Sequence, residues 1–166
     1  MIIKLKDHNT LEVDDFQFRC CIGKNGLVSN KKKLEGDLST PKGIFKLTEI
    51  YYRSEKIKLI NTKLKKQKIT KNMGWCDDSK SKFYNKLINI KKTKFKYEKL
   101  YRNDSKYDII IVIDYNRKKI IAGKGSAIFI HITNDYNPTA GCIALKKKDL
   151  VILLKIIKKN SFINIS

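Results

Sequence analysis

Residues 124–145 read Lys124-Gly125-Ser126-Ala127-Ile128-Phe129-Ile130-His131-Ile132-Thr133-Asn134-Asp135-Tyr136-Asn137-Pro138-Thr139-Ala140-Gly141-Cys142-Ile143-Ala144-Leu145. Ser126 to Ile132 is mostly apolar and predicts a buried strand with His131 at its end. Asn134 to Pro138 is rich in Asn, Asp and Pro and predicts a turn. The chain then returns through Thr139-Ala140-Gly141 to Cys142. Such a loop can bring imidazole and thiol together in space, although eleven positions separate them in sequence.

That pairing suits nucleophilic catalysis. The thiolate, not the thiol, is the nucleophile. A neighbouring imidazole takes the proton and later returns it to a leaving amine. Glycine before the cysteine suits a tight backbone, in which the N–H groups of Gly141 and Cys142 face a developing oxyanion. Each residue also has a plainer reading. A lone cysteine is often a small buried hydrophobe, and a lone histidine is often a hydrogen-bonded core residue. The pair alone leaves both readings open.

The surrounding residues resemble the active-site motif of the L,D-transpeptidase catalytic domain, the YkuD domain. In that family a strand ends in His, a variable loop follows, and then comes Ser/Thr-x-Gly-Cys with an aliphatic residue after it. Here these are His131 and Thr139-Ala140-Gly141-Cys142-Ile143. Upstream, Glu35-Gly36-Asp37-Leu38-Ser39-Thr40-Pro41-Lys42-Gly43-Ile44-Phe45 resembles the second family signature. Gly74-Trp75-Cys76-Asp77-Asp78 and Phe83-Tyr84-Asn85 resemble a proteobacterial branch. The resemblance covers roughly residues 16 to 158. The chain departs from the pattern at Ile132, Ala140 and Ala144. These departures leave His131 and Cys142 in place and bear on substrate contacts.

The resemblance implies a mechanism. Cys142 attacks a carbonyl of a peptidoglycan stem peptide, His131 serves as base and then acid, and an acyl-enzyme thioester forms. The family orients its histidine with a backbone carbonyl, so no triad carboxylate is expected. A second stem's amine then takes the acyl group. No cofactor is expected. Two alternatives stay open: a thiol L,D-carboxypeptidase or endopeptidase that hydrolyses muropeptides, and a non-catalytic basic protein that binds polyanions. Candidate substrate contacts are Thr139, Trp75, Asp77 and Tyr84. Trp75 beside two carboxylates either lines a cleft or covers the core. Asp77 and Asp78 either pair stem amines or cap a turn. Tyr84 would extend the same cleft.

Composition bounds the rest. At 166 residues the length suits one domain, 1–166, with a real core. An apolar content of 42% argues against disorder, despite 32% charged residues. The formal net charge is +21, and only Arg19, Arg53, Arg102 and Arg117 are arginines. Specific nucleic-acid readers lean on Arg, so this Lys excess reads as compositional bias that attracts polyanions non-specifically. The cysteines are Cys20, Cys21, Cys76 and Cys142, without a Cys-x-x-Cys, and there are two histidines; no structural metal is expected. His8 reads as a solvated turn residue. Residues 1 to 15 carry six charged side chains and no apolar leader core, and no apolar run is long enough to span a bilayer. The resemblance implies the cell envelope; the N-terminus alone reads as cytoplasmic. A monomer is expected.

Strands are predicted at Met1–Lys6, Thr10–Val13, Phe16–Ile22, Ile44–Tyr52, Tyr107–Tyr115 and Ile120–Ala122, with a turn at 23–26. Residues 86 to 106 read as a strand and a long loop, and 53 to 72 are too Lys-rich to assign. Asp149–Lys159 is the clearest helix, with Leu150, Leu153, Leu154 and Ile157 on one face. The expected fold is mainly β, a β-rich α+β domain like the mixed β-sheet sandwich of L,D-transpeptidases with a C-terminal helix.

Overall fold

The computed structural model describes residues 1–58 and 61–166. The chain starts with an antiparallel meander of β1 (Ile2–Lys6), β2 (Thr10–Val13) and β3 (Phe16–Cys21). Strand alternation buries Ile3, Leu5, Leu11 and Val13 on one face. His8 lies exposed in the first turn with φ of 60°, as its polar neighbours suggest. The 23–26 turn forms as expected, with Gly26 at φ 72° and its N–H on Gly23 O at 2.9 Å. Short strands β4 (Leu27–Val28) and β5 (Thr40–Pro41) pair in parallel.

The long strand β6 (Gly43–Tyr52) ties the molecule together. After it come β7 (Lys65–Lys68), β8 (Met73–Cys76), β9 (Leu87–Asn89), a 3-10 turn (Ile90–Lys92) and β10 (Tyr97–Lys99). Then follow β11 (Ile109–Ile113), β12 (Phe129–Ile132), β13 (Ile143–Leu145), α1 (Lys147–Ile156) and β14 (Phe162–Ile165). Among the described residues nine strands join one sheet in the order β11-β12-β13-β3-β2-β1-β14-β6-β7. β6 pairs β14 along its first half and β11 along its second, so the pairings run round from β11 back to β11. A second sheet, β10-β8-β9, stands apart.

Two cores lie on opposite sides of β11 and β12. Ile109, Ile111, Ile113, Ile130 and Ile132 enter the first core with Leu150, Leu153, Leu154 and Ile157 of the helix region. Ile110, Val112 and Phe129 enter the second, with Tyr51, Trp75, Leu100 and Tyr107. Burial on both faces explains why residues 109–113 read as an unbroken aliphatic run. The helix carries Asp149 in its first turn and Lys155 in its last, both favourable to its dipole.

The structure corrects the outline in places. Ile120–Ala122 forms no strand. The Asn116 side chain takes the pairing instead: its Oδ1 accepts from Ile121 N–H at 2.8 Å, and its Nδ2 donates to Ile121 O and Gly125 O at 2.9 Å each. Residues 73–76 form a strand, and so do 162–165 beyond the helix.

Candidate active site

Local strand geometry puts the candidate nucleophile and base together. β12 and β13 run parallel, with Ile130 opposite Ile143 and His131 opposite Ala144. Alternation therefore sends Phe129 and His131 to the face away from the first core, together with Cys142 and Ala144. Cys142 sits beside Phe129, whose N–H points at Sγ at 3.4 Å. His131 is two residues further along β12, about 7 Å of strand rise and on the same face. Both side chains line one cleft of about 470 Å³.

The imidazole is oriented by backbone. Nδ1 lies 2.9 Å from Ile132 O. A carbonyl can only accept, so Nδ1 carries the hydrogen and Nε2 keeps its lone pair. The Tyr107 ring meets the imidazole edge-on, 5.3 Å between centroids at 71°. His131 is only 7% exposed. Its pKa is lowered to about 4, chiefly by burial; the Ile132 carbonyl opposes this, and the positive charges of Lys106 and Arg102 add to it.

The thiol is also held neutral. Cys142 is 7% exposed, and its S–H donates to Ala127 O at 3.2 Å. Burial raises its pKa well above the ordinary thiol value, and the Glu98 carboxylate adds to this. The Phe129 N–H and the Lys33 ammonium pull the other way. At rest the pair is thiol and neutral imidazole, not thiolate and imidazolium. Fast alkylation of Cys142 at neutral pH through a large thiolate fraction is therefore not expected.

Residues of the upstream signature clamp the nucleophile loop. Gly141 has φ of 139°, and a Cβ there would stand 2.8 Å from Ser39 O, so only glycine fits against that loop. Thr40 is fully buried; its Oγ1 donates to Gly141 O at 2.9 Å and accepts from Gly23 N–H at 2.9 Å. One hydroxyl thus joins three segments that are remote in sequence.

The family model for the L,D-transpeptidase catalytic domain, YkuD, matches residues 1–165. The chain belongs to the L,D-transpeptidase catalytic domain family. No curated protein matches it. Among the described residues no helix is long and apolar enough to cross a membrane.

The other expected site residues of this L,D-transpeptidase-family chain divide. Asp77 lines the cleft. Its Oδ1 is buried without a hydrogen-bond partner among the described residues. Burial raises its carboxyl pKa, while Lys96 opposes. Thr139 lines the cleft too, but its hydroxyl is spent within the loop, donating to Cys142 O at 2.6 Å and accepting from Gly141 N–H at 3.1 Å. Gly141 N–H is therefore not free for an oxyanion in this state. Trp75 and Tyr84 are not among the cleft-lining residues. Trp75 is 1% exposed and packs edge-on against Phe129 at 5.0 Å. Tyr84 turns its hydroxyl to Glu35.

Both nevertheless shape the site. Asn85 Oδ1 accepts from Trp75 Nε1–H at 2.9 Å and from Ala127 N–H at 3.1 Å. Ala127, at φ 52°, supplies the carbonyl that receives the thiol. The tryptophan thus supports the backbone on which Cys142 rests. Sequence reasoning missed the charged cleft wall of Lys33, Glu35, Glu98, Arg102 and Lys106. One signal was available: Glu98 is the single carboxylate between Lys86 and Arg102, amid Lys91, Lys92, Lys94, Lys96 and Lys99.

Proposed function

We propose that this chain is a cysteine acyltransferase that works on peptidoglycan stem peptides through a Cys142 thioester. The observation that carries the reading is the placement of Cys142 and a base-ready His131 Nε2 on one face of a buried cleft. Because both groups are neutral at rest, proton transfer accompanies attack. Sγ bonds to the carbonyl carbon while its proton moves to Nε2. The oxyanion is received by the Cys142 N–H. The carbon–nitrogen bond then breaks, and the leaving amine takes the proton from His131. An acceptor amine attacks the thioester, gives its proton to Nε2, and Cys142 leaves as the thiol. General-base assistance of this kind is typically worth ~10² to 10⁴-fold.

The mixed charge of the cleft supports a peptide substrate that carries both amines and carboxylates, and the family setting supports work in the cell envelope. The test is a product analysis with a disaccharide-tetrapeptide donor and a D-amino acid as the acceptor amine. The expected product is the donor with its terminal residue exchanged, formed by wild type and not by Cys142→Ala. Hydrolysed donor alone, at every acceptor concentration, would replace the transferase reading with a thiol peptidase.

A further inference from the structure

One buried side chain outside the cleft reaches the candidate nucleophile through a single peptide group. Asn85 is 2% exposed and is not among the cleft-lining residues. Its amide uses its full hydrogen-bonding capacity. Oδ1 accepts from Trp75 Nε1–H and from Ala127 N–H, and Nδ2 donates to Tyr115 O at 3.1 Å and Asn116 O at 2.7 Å. Its own N–H donates to Cys76 O at 2.8 Å, at the end of β8. Its φ is 56°, a left-handed value that asparagine adopts more readily than most residues. One amide thus joins the second sheet, the turn after β11 and the approach to β12. On that approach Ala127 lies two residues before the strand, and its N–H finds Asn85 Oδ1 where a paired strand would offer a carbonyl. The residues before it are also held by side chains. Asn116 Nδ2 donates to Gly125 O at 2.9 Å, and the Ser126 hydroxyl donates to Glu35 at 2.7 Å. Ala127 itself has φ of 52°, a conformation that is costly for alanine and persists only where its surroundings fix it. In that conformation its carbonyl receives the Cys142 thiol at 3.2 Å, while Phe129 N–H meets the same sulfur at 3.4 Å.

We propose that Asn85 is the positioning residue of the nucleophile: it holds the Ala127 peptide in its left-handed conformation, and the Ala127 carbonyl in turn fixes the Cys142 side chain in one orientation. Asn85 touches neither the sulfur nor the cleft, so it acts only through Ala127. Without its amide oxygen, Ala127 relaxes toward negative φ and its carbonyl turns away from the sulfur. The thiol then loses a hydrogen bond that stabilises its neutral form and is free to change rotamer. Two effects of opposite sign follow. The thiol ionises and alkylates more easily, because a hydrogen bond donated by the neutral form disfavours the charged one. Acyl transfer slows, because fewer molecules hold the sulfur ready for attack. The second effect rests on the acyltransferase reading; the hydrogen bond and the first effect do not.

The test compares wild type with Asn85→Gly, which suits the positive φ and removes the amide; circular dichroism checks the fold. Iodoacetamide alkylation at pH 8, mapped by peptide mass, follows all four cysteines at once. In Asn85→Gly, Cys142 is expected to react about three- to tenfold faster, the worth of one hydrogen bond, with Cys20, Cys21 and Cys76 unchanged. A wild-type rate at Cys142 overturns the proposal, and so does faster labelling of all four cysteines together, which is general loosening. A second measurement needs no variant at Asn85. The infrared S–H stretch of Cys142, taken as wild type minus Cys142→Ala, is expected at the lowered frequency of a hydrogen-bonded thiol. A band at the free-thiol frequency overturns the proposal, even if Asn85→Gly does not fold. In folded Asn85→Gly that band should rise to the free-thiol frequency. In the exchange assay Asn85→Gly should lower kcat and leave KM unchanged, since Asn85 is outside the cleft; a raised KM with unchanged kcat contradicts the positioning role. If wild type shows the alkylation and infrared results but forms no exchange product, the acyltransferase reading fails and the hold on Cys142 stands.

Discussion

In the proposed mechanism His131 serves as the base because burial keeps its imidazole neutral. A neutral imidazole with a pKa near 4 keeps Nε2 available across the neutral range. Its folded-state pKa lies below the ordinary value of 6.5. Between those two values the unfolded chain binds a proton that the folded one refuses, so stability falls as pH drops through that window and is unaffected by this group above it. A shift of this size corresponds to on the order of 3 kcal/mol. Urea unfolding of wild type and His131→Gln at pH 7 and pH 4 should show wild type losing about that much more. Equal losses in the two proteins would mean that His131 titrates normally and is not the desolvated group described above. At the same scale, the neutral Cys142 thiol explains why a cysteine-histidine pair can sit in a protein with three other buried cysteines without standing out as an ion pair.

Among the elements, the link between the two signatures holds the loop that carries the candidate nucleophile. Thr40 on β5 satisfies Gly23 N–H and Gly141 O with one hydroxyl. Thr40→Val keeps the shape and strands both buried groups, each worth about 1–3 kcal/mol when unpaired. Chemical denaturation should show a loss of about 2 kcal/mol or more, and acylation of Cys142 should slow in protein that remains folded. Thr40→Ser should restore most of both. A Thr40→Val protein with wild-type stability and acylation would show that the clamp is incidental. Much of this element plan was legible beforehand. The apolar run at 109–113, the amphipathic 150–157 stretch and the Gly-Lys-Asn-Gly turn each announce themselves through local pattern. So did His131 and Cys142, whose surroundings fix their strand and loop. The rest depends on pairing that no local pattern carries. β7 is Lys-Lys-Gln-Lys, exposed throughout, and exists because β6 offers it an edge. β14 is a short strand between β1 and β6, contributed by residues distant from both. Ile120–Ala122 has strand composition but loses its pairing to one asparagine side chain. Trp75 reads equally well as a cleft residue or a core residue, and only packing against Phe129 decides it.

The whole molecule is strongly basic, at a formal +21, yet its cleft gathers Glu35, Asp77 and Glu98 beside the candidate nucleophile. That contrast argues against the surface charge as the main functional device. Long-range attraction concentrates anionic partners of any kind, whereas the cleft presents both signs to one substrate. The first core packs the sheet against the helix, and the second includes Cys142 itself. The proposed acyltransferase reading makes one claim above the others, that Cys142 becomes acylated in the intact domain. Mass spectrometry of the whole protein after incubation with disaccharide-tetrapeptide tests it most directly. The account predicts a mass gain equal to the donor less its leaving group, mapped to the peptide that contains Cys142, absent in Cys142→Ala and slower to form in His131→Ala. A folded wild-type protein that gains no mass from any tetra- or pentapeptide donor, or gains it at another residue, would contradict the account.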